Sequence, residues 1–512
     1  MCTLDIVIGN PPYIKEPTNR SAFDGFRKSK YYQGKMDLWY GFACVMLDNL
    51  KKDTGVLTFI ATNNWVTNTG ASKFRNKVAE DAQILQLIDF GNYKIFESAD
   101  IQTMIMLFKA TQKKYDYQFD YRKIIDTQVD LDDIIQLFNS VGNGKIKLLN
   151  PTFNREQFKD KSFLFSEGGI DDILNEILNA SNFQLDNRLE IAQGIVAPQD
   201  FVNKASLEEL GGSVELNQGI FYLSDDEKEN LNLSSEELKL IKPFYTTTEL
   251  DRFYGNRENK FWVVYTDSSF KNPAAMNPYP NLKKHLDRFQ KVITSDNKPY
   301  GLHRARNEHF FIEEKIISLR KCAKPTFTYT DFDCYVSQTY FIIKTRRVNQ
   351  KYLAALLNSK LIAFWLKHKG KMQGFQYQVD KGPLVELPLI KTDQQEPFAI
   401  LVDYILFLKK NKSQPLFNHT ENERIIGHLE DVIDMMVYEL YFEKHMKEAG
   451  LNVLQFISPK PISDLENLKD KEEVIQGFYL WLQTPNNQVR QRINIIDVKS
   501  PDILSKINLA TQ

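Results

Sequence analysis

The residues Asn10-Pro11-Pro12-Tyr13 directly follow the apolar run at positions 4–9, which reads as a buried parallel strand. Two consecutive prolines end the run because neither can donate a backbone hydrogen bond, so a rigid loop must follow. The loop carries a side-chain amide, prolyl carbonyls and an aromatic ring. In open α/β sheets the carboxyl end of a strand is where ligands bind.

These groups suit work on a flat ring that bears an amino group. The amino nitrogen of adenine is a poor nucleophile because its lone pair is delocalised into the ring. The Asn10 side-chain oxygen and the Pro11 carbonyl can accept both amino hydrogens and favour the pyramidal nitrogen that attacks an electrophilic methyl group. Tyr13 can stack on a base flipped out of a duplex. The alternative interpretation is a strand-ending turn, because Asn-Pro and Pro-Pro also mark loops.

The elements that must position this loop alternate between strand and helix. Residues 1–111 read as strand, loop, helix, strand, helix and strand hairpin, with an amphipathic helix predicted over 38–51. Such alternation indicates an α/β sheet.

With its flanking segments, the loop resembles motif IV of the gamma-class adenine-specific DNA methyltransferases. The resemblance extends to the methylase-plus-specificity part of type IIG restriction-modification enzymes, through residues 34–40, 55–65, 88–96 and 103–108. It implies methyl transfer from S-adenosylmethionine to adenine. It also implies that Asn10 and Pro11 bind the amino group and that Tyr13 and Phe96 lie on either side of the base.

The same resemblance implies that Lys35 and Asp37 lie near the cofactor. Only nine residues precede Asn10, too few for the strand-loop-helix-strand that would hold S-adenosylmethionine, and no strand followed by Gly-x-Gly occurs downstream. We therefore expect the cofactor-binding half to be missing. The chain is then a carboxyl-terminal fragment, a truncated product, or half of a split enzyme that needs a polypeptide carrying the other half.

Charge is distributed unevenly along the chain. The net charge is −1, yet residues 255–375 hold 22 Lys and Arg against nine Asp and Glu, about +13. A basic block of this kind is typical of a surface that binds double-stranded DNA, although a solvated face of a neutral protein is the alternative. The cations and amide that we predict to contact DNA are Arg304, Arg306, Lys315, Arg320, Lys321, Lys369, Lys371 and Gln373.

Residues 188–391 resemble the target-recognition domain of the same family, with short strands followed by one amphipathic helix. The fold class expected is α/β: the carboxyl-terminal half of a Rossmann-like methyltransferase sheet, then an α+β recognition domain and a helical region. The predicted boundaries are 1–111 for the partial catalytic domain, 112–187 for a connector, 188–391 for target recognition and 392–512 for the helical region.

The cysteine content and hydropathy of the sequence also bear on where the protein is located. Four scattered cysteines indicate neither a disulfide framework nor a metal site and fit a cytoplasmic protein, and no membrane span or signal peptide is predicted. Three other functions remain open. They are methylation of release-factor glutamine or ribosomal RNA guanine by enzymes with the same tetrapeptide, a non-catalytic DNA-recognition subunit, and a nuclease site built from Asp296, Glu313 and Lys315.

Overall fold

A computed structural model describes residues 3–91, 93–96, 101–113, 115–126, 128–155, 163, 165, 170–212, 214–373, 376–412, 416, 422–457, 462–465 and 468–511. The chain forms two compact units, Met1–Asp171 and Asp172–Gln512.

The first unit contains eight described strands, three helices and the first two residues of a fourth. Its strands are β1 Ile6–Gly9, β2 Val56–Thr62, β3 Ala82–Asp89, β4 Thr103–Ala110, β5 Tyr117–Gln118, β6 Asp120–Ile124, β7 Ile146–Leu149 and β8 Thr152–Phe153. Its helices are α1 Leu38–Asn49, α2 Ser72–Asp81, α3 Leu131–Phe138 and α4 Ile170–Ala180, the last of which continues into the second unit.

A six-stranded mixed sheet organises this unit, in the order β1-β2-β4-β3-β6-β7. The β1 and β2 strands are parallel, and β4 returns antiparallel between β2 and β3. The helix predicted over 38–51 is confirmed as α1, which ends at Asn49 where Leu50 takes an extended conformation. The strand and hairpin pattern expected from the sequence therefore builds one α/β layer.

The core between α1, α2 and the sheet is aromatic. Trp39, Trp65 and Phe74 are at most 1% exposed and their rings lie edge-on or tilted at 4.9–5.3 Å between neighbouring centroids. Burying side chains of this size contributes about 2–3 kcal/mol each. This packing fixes α1, and with it the segment between Tyr13 and α1.

The second unit contains twelve strands among its described residues. These are β9 Ile191–Gln193, β10 Tyr222–Leu223, β11 Ile241–Tyr245, β12 Phe253–Tyr254, β13 Phe261–Val264, β14 Lys315–Leu319, β15 Lys321–Cys322, β16 Phe327–Thr330, β17 Tyr335–Val336, β18 Tyr340–Ile343, β19 Lys371–Gln373 and β20 Gln376–Gln378. They form sheets in the orders β10-β13-β11-β17, β12-β16-β14-β18-β9 and β15-β20-β19.

Helices complete the second unit. They are α5 Lys204–Leu210, α6 Asp225–Asn230, α7 Ser235–Leu238, α8 Pro280–Asp287, α9 Gln350–Leu357, α10 Lys360–Lys369, α11 Lys381–Val385, α12 Glu396–Lys410, α13 Asn422–Tyr441, α14 Glu443–Glu448, α15 Leu454–Ile457, α16 Lys471–Leu482, α17 Gln488–Lys499 and α18 Leu504–Thr511. The prediction of a helical carboxyl-terminal region is confirmed.

The single amphipathic helix predicted in the recognition domain is two helices in the structure. Asn358 and Ser359 separate α9 from α10, and the Ser359 hydroxyl caps α10 by accepting from the Ile362 N–H. The Asn358 amide bonds both backbone groups of Phe327, at 3.1 and 2.7 Å, so it joins the helix break to β16. Among the described helices, none combines the length and hydropathy that a membrane crossing requires.

Candidate functional site

The Asn-Pro-Pro-Tyr loop starts where β1 ends. The β1 register runs from Ile6 opposite Val56 to Gly9 opposite Phe59, so the loop emerges at the carboxyl end of two parallel strands. Asn10 is exposed, whereas Pro11 is buried and Tyr13 is half-buried. The predicted parallel strand is confirmed, and the prolines end its hydrogen-bond ladder. The prediction that this strand is buried is wrong: Ile6 and Ile8 are 71% and 79% exposed, because β1 pairs only with β2 among the described strands.

The Tyr13 hydroxyl ties the loop to the end of β2. Its single proton has two acceptors within reach, the Asn10 Oδ1 atom at 2.6 Å and the Ile60 carbonyl at 2.9 Å. Burial, followed by the nearby Asp37 carboxylate, raises the pKa of Tyr13 to about 12. The hydroxyl therefore keeps its proton at physiological pH and stays a donor. The Ile60 carbonyl was not predicted, since only the register of β1 on β2 brings it to the loop.

Two other groups complete the possible base contacts. The Pro11 carbonyl accepts no hydrogen bond from any described residue, whereas the adjacent Pro12 carbonyl accepts from the Ile14 N–H at 3.1 Å. The ring centroids of Tyr13 and Phe96 are 6.4 Å apart with their planes inclined at 56°. A flat base between two parallel rings needs about 7 Å, from two contacts of about 3.5 Å. The rings would therefore have to rotate by about 56° relative to one another and separate slightly to hold a base between parallel faces.

A short antiparallel pairing joins the two ends of the segment between Tyr13 and α1. The Leu38 N–H donates to the Ile14 carbonyl over 2.8 Å, and the Glu16 N–H donates to the Met36 carbonyl over 2.9 Å. The Glu16 carboxylate accepts from the Tyr32 hydroxyl at 2.5 Å and the Lys35 N–H at 2.7 Å, which lowers its pKa. These bonds hold the segment before α1 against the Asn-Pro-Pro-Tyr loop.

Lys35 and Asp37 were expected near the cofactor, and the structure gives them different surroundings. Lys35 has a positive φ of 61° and an exposed side chain. Its carbonyl lies so near Gly70 that a Cβ there would be 2.1 Å away, so position 70 needs glycine. Asp37 is 2% exposed, and neither of its carboxylate oxygens has a hydrogen-bond partner among the described residues. Burial raises the Asp37 pKa to about 6, opposed by Lys15.

The described residues do not form a complete S-adenosylmethionine site. Asp37 would have to become accessible before it could bond a ribose or an amino group, and Lys35 offers only an exposed ammonium. The Asp89 carboxylate is already engaged, because it accepts hydrogen bonds from the Asn63 amide at 2.9 Å and the Tyr121 hydroxyl at 3.2 Å.

In the second unit, a three-stranded sheet brings together residues that are 50 positions apart in the sequence. Lys321 on β15 and Lys371 on β19 both lie opposite Gln378 on the central strand β20. Gln373 lies opposite Gln376 at the other end of the β19–β20 pair. Lys321, Lys371 and Gln373 are all exposed. Three of the predicted DNA contacts thus share one small sheet.

The arginines of the predicted DNA-binding surface differ in how exposed their guanidinium groups are and in what they bond. The Arg304 side chain is exposed and has no ion-pair partner among the described residues. Arg306 is half-buried, and its guanidinium donates to the Gln193 Oε1 atom at 3.0 Å and the Gly194 carbonyl at 3.3 Å. Burial, and then Arg304, lower the Arg306 pKa. Arg320 pairs with Asp380 at 2.5 Å.

Lys315 requires a correction. It was predicted to contact DNA, but it is 0% exposed, and its ammonium donates to the carbonyls of Glu313 and Phe332. Burial lowers its pKa to about 8. The strand β14 turns Lys315 inward, which the sequence did not reveal because the flanking Glu313 and Glu314 read as a surface segment. Lys369 is half-buried at the end of α10.

A cleft of about 630 Å³ adjoins Arg320 and Lys321. Its other lining residues are Phe244, Tyr245, Thr246, Thr247, Leu319, Ser337, Gln338, Thr339 and Tyr340. The Gln193 amide donates to the Gln338 carbonyl at 3.1 Å, which links the cleft to Arg306. Cationic, hydroxyl and amide groups therefore surround one concave surface of this unit.

Part of the basic block is neutralised inside the second unit. Ion pairs of 2.7–3.3 Å engage several of its cations with carboxylates, including Arg257 with Asp331, Lys283 with Asp287, Lys344 with Glu313, Lys351 with Asp403 and Lys360 with Asp431. The excess of positive charge in residues 255–375 is therefore presented by a smaller set of exposed side chains, which includes Arg304, Lys321 and Lys371. No group of His, Cys, Asp and Glu in the described ranges has the arrangement of a metal site.

Two family models match parts of the chain. Residues 3–96 match the family described as Eco57I restriction-modification methylase, and residues 242–389 match the TaqI-like C-terminal specificity domain. Each match covers less than half of the chain, so each shows what that segment is similar to.

Distant relatives include type II methyltransferases. The chain is 22% identical to M.BanIII of Aneurinibacillus aneurinilyticus, over 69% of this chain and 63% of that protein. It is 21% identical to M.HindII of Haemophilus influenzae, over 76% of this chain and 75% of that protein. It is 23% identical to the restriction enzyme and methyltransferase RM.Eco57I of Escherichia coli, over 93% of this chain. The chain spans 48% of the length of RM.Eco57I.

A solved structure has a similar fold. It is that of the Type IIL restriction-modification enzyme MmeI in complex with DNA, with a TM-score of 0.50 and 12% identity over 97% of this chain and 57% of that chain. The similarity concerns the fold, and it agrees with the α/β class and helical carboxyl-terminal region expected from the sequence.

Proposed function

We propose that this chain supplies the base pocket and the DNA-recognition surface of a site-specific DNA methyltransferase in a restriction-modification system. The substrate is the exocyclic amino group of an adenine flipped out of duplex DNA. The observation that carries the proposal is the Asn10-to-Tyr13 loop at the carboxyl end of β1, with the Phe96 ring 6.4 Å from that of Tyr13.

The chain's own residues hold the base. The Asn10 side-chain oxygen and the Pro11 carbonyl accept the two amino hydrogens, which draws the nitrogen toward a pyramidal geometry and frees its lone pair. Tyr13 and Phe96 contact the two faces of the ring, and base stacking on an aromatic side chain contributes about 1–3 kcal/mol. Arg304, Arg320, Lys321, Lys369, Lys371 and Gln373 remain the proposed DNA contacts. Lys315 is left out because its ammonium is buried, and Arg306 because its guanidinium bonds Gln193 and Gly194.

The methyl donor requires further structure beside β1. This strand is the last of the sheet and pairs only with β2 among the described strands. Its Ile6 and Ile8 side chains are 71% and 79% exposed, although parallel strands are normally covered on both faces. An open strand edge with apolar side chains is a site for additional strands. We infer that the cofactor-binding strands add to this edge, either linked to this chain or on a partner polypeptide.

The test is a methylation assay with unmethylated genomic DNA and isotope-labelled S-adenosylmethionine. The 512-residue chain is assayed alone and after fusion, ahead of Thr3, to the cofactor-binding segment of a relative such as M.BanIII. The proposal predicts N6-methyladenine by nucleoside mass spectrometry for the fusion. The control fusion carries Asn10→Ala, which removes the amide without disturbing a buried side chain. Methylcytosine as the product, or equal activity of the control, would contradict the proposal.

A second candidate is a DNA-recognition subunit without methyltransferase activity. The buried carboxylate of Asp37, which has no hydrogen-bond partner among the described residues, favours it, because this residue was expected to face the cofactor. Under this alternative the fusion binds duplex DNA and S-adenosylmethionine but transfers no methyl group. The nuclease hypothesis lacks support, since the Lys315 ammonium is engaged by two backbone carbonyls.

A further inference from the structure

One face of the β15-β20-β19 sheet is uniformly polar. Residues directly opposite each other in an antiparallel pair share a face, as do residues two apart along a strand. The register therefore places one set of side chains together, here called the glutamine–lysine face: Lys321, Lys371, Gln373, Gln376 and Gln378.

The opposite face of the same sheet is apolar. It carries Cys322, Met372 and Tyr377, which lie opposite one another across the three strands. Cys322 and Tyr377 are each 7% exposed, and Met372 is half-buried. Packing of this face fixes the sheet on the unit. On the glutamine–lysine face, Gln378 is 8% exposed, whereas the other four side chains are exposed.

Two of its glutamines are available and one is not. The Gln378 amide donates to Asp380 at 2.6 Å, and Asp380 is paired with Arg320 at 2.5 Å, so Gln378 is held in place. Gln373 and Gln376 are exposed, and neither side-chain amide has a hydrogen-bond partner within the part of the chain that the structure describes. The face thus presents two adjacent amides that can bind a ligand.

The charges of this face complement a polyanion. Lys321 and Lys371 are exposed, and neither has an ion-pair partner among the described residues. The nearby carboxylate of Asp380 is neutralised by Arg320. One ammonium group therefore lies on each side of the central strand β20. None of the described residues places an unpaired carboxylate on this face.

We propose that the β19–β20 ribbon enters the major groove of duplex DNA and that Gln373 and Gln376 read adenine there, which makes them specificity-determining residues. This inference rests on the proposed function. A two-stranded ribbon fits the major groove, and a glutamine amide bonds adenine through its N6 donor and N7 acceptor. Lys321 and Lys371 contact phosphates and fix the register. The adenine read in this way is a paired base of the recognition sequence, distinct from the flipped one.

The test is selection of duplexes from a random library by the immobilised full-length chain, without cofactor, followed by sequencing. Wild type is compared with Gln373→Ala, Gln376→Ala and the double variant. The wild-type chain should select a motif that includes at least one fixed A·T pair. The variants should lose that preference by about tenfold to a hundredfold, the cost of one bidentate base contact, while retaining the other fixed positions. Non-specific affinity should stay within about threefold.

Two further variants sharpen the result. Gln373→Arg or Gln376→Arg should change the preferred base at the affected position from adenine to guanine, since arginine bonds the guanine O6 and N7 atoms. Gln491→Ala, which alters an exposed glutamine on α17, is the matched control and should leave the motif unchanged.

The outcomes separate the two proposals. A motif that is unchanged in the double variant would overturn the ribbon assignment and leave the proposed function intact. Loss of all duplex binding in the double variant would also overturn it, since that result describes a general contact. No binding of duplex DNA by the wild-type chain, or equal binding of single-stranded DNA or RNA, would overturn both.

Discussion

The hydroxyl of Tyr13 donates to the side-chain oxygen of Asn10 over 2.6 Å. In the proposed function this same oxygen accepts a hydrogen from the target amino group, so the tyrosine occupies one of its two lone pairs before a base arrives. The same proton can also be shared with the Ile60 carbonyl, which lies 2.9 Å from the hydroxyl and holds the tyrosine ring beside the end of β2. The loop is therefore preorganised by the residue that is also proposed to stack on the base.

Separate substitutions at Tyr13 distinguish the hydroxyl from the ring. Tyr13→Phe removes both hydrogen bonds but keeps the stacking surface, so it should lower the free energy of unfolding by about 1–2 kcal/mol and reduce methylation by less than tenfold in the fusion enzyme. Tyr13→Ala also removes the ring and should reduce methylation more than a hundredfold, because the pocket then loses one stacking contact and its geometry. Initial methylation rates and urea unfolding measure the two effects. Duplex affinity should change by less than threefold in both variants, and near-normal methylation by Tyr13→Ala would contradict the assignment.

The buried carboxyl of Asp37 should make stability depend on pH. Its folded-state pKa is about 6, above the ordinary value of 3.8, so the folded chain binds more protons than the unfolded chain between these values. Stability contributed by the neutral form is present at low pH and is lost as pH rises through 6. Two units of pKa correspond to about 3 kcal/mol. The unfolding free energy of Asp37→Asn relative to wild type should therefore rise by about that amount between pH 4 and pH 8.

Denaturant unfolding at the two pH values measures this difference. Asp24→Asn, which removes an exposed carboxyl in the same unit, is the control. A difference between Asp37→Asn and wild type that does not change with pH would show that Asp37 is not held in a desolvated site.

Lys321 and Lys315, six positions apart, allow a paired comparison of an exposed and a buried lysine in DNA binding. Lys321→Ala should weaken duplex binding and reduce the slope of log affinity against log salt by about one, because its exposed ammonium is proposed to contact a phosphate. Lys315→Met should leave the slope unchanged, since that ammonium is buried and bonds the carbonyls of Glu313 and Phe332. Fluorescence anisotropy at several salt concentrations measures both. Equal slopes for the two variants would contradict the assignment of this surface.

Arg304 and Arg306 should also behave differently. Arg304→Ala removes an exposed cation and should reduce the salt slope by about one with no change in stability. Arg306→Ala removes the bonds to Gln193 and Gly194 and should lower the unfolding free energy by about 1–3 kcal/mol. Salt titrations and thermal unfolding distinguish the variants. A stable Arg306→Ala variant with a reduced slope would instead make Arg306 a direct phosphate contact.

The sequence predicted the methylase segment well because its signals are local. Residues 6–9 continue as a strand until the prolines, and the periodicity of residues 38–51 predicted α1 to within two residues of its end. The rings of Phe96 and Tyr13 are 6.4 Å apart, and their role on the two faces of a base stays a prediction. Here the relevant contacts follow from elements whose type and order the sequence reveals.

The recognition surface was less predictable because it depends on distant pairings. Lys321 and Lys371 become neighbours only through Gln378, and no local pattern reveals that register. Lys315 was assigned to the surface because a charged segment is normally solvated, whereas β14 buries it between two carbonyls. The burial of Asp37 arises from the pairing of residues 14–16 with 36–38, which propensity alone does not indicate.

The most direct test of this account is equilibrium binding of labelled S-adenosylmethionine and of duplex DNA to the purified 512-residue chain, each with and without the other. The account predicts that the chain binds duplex DNA, with affinity that falls as salt rises, but does not bind S-adenosylmethionine at micromolar concentration. Micromolar binding of S-adenosylmethionine by the chain alone would contradict the requirement for additional strands at β1. Failure to bind duplex DNA would contradict the proposed function itself.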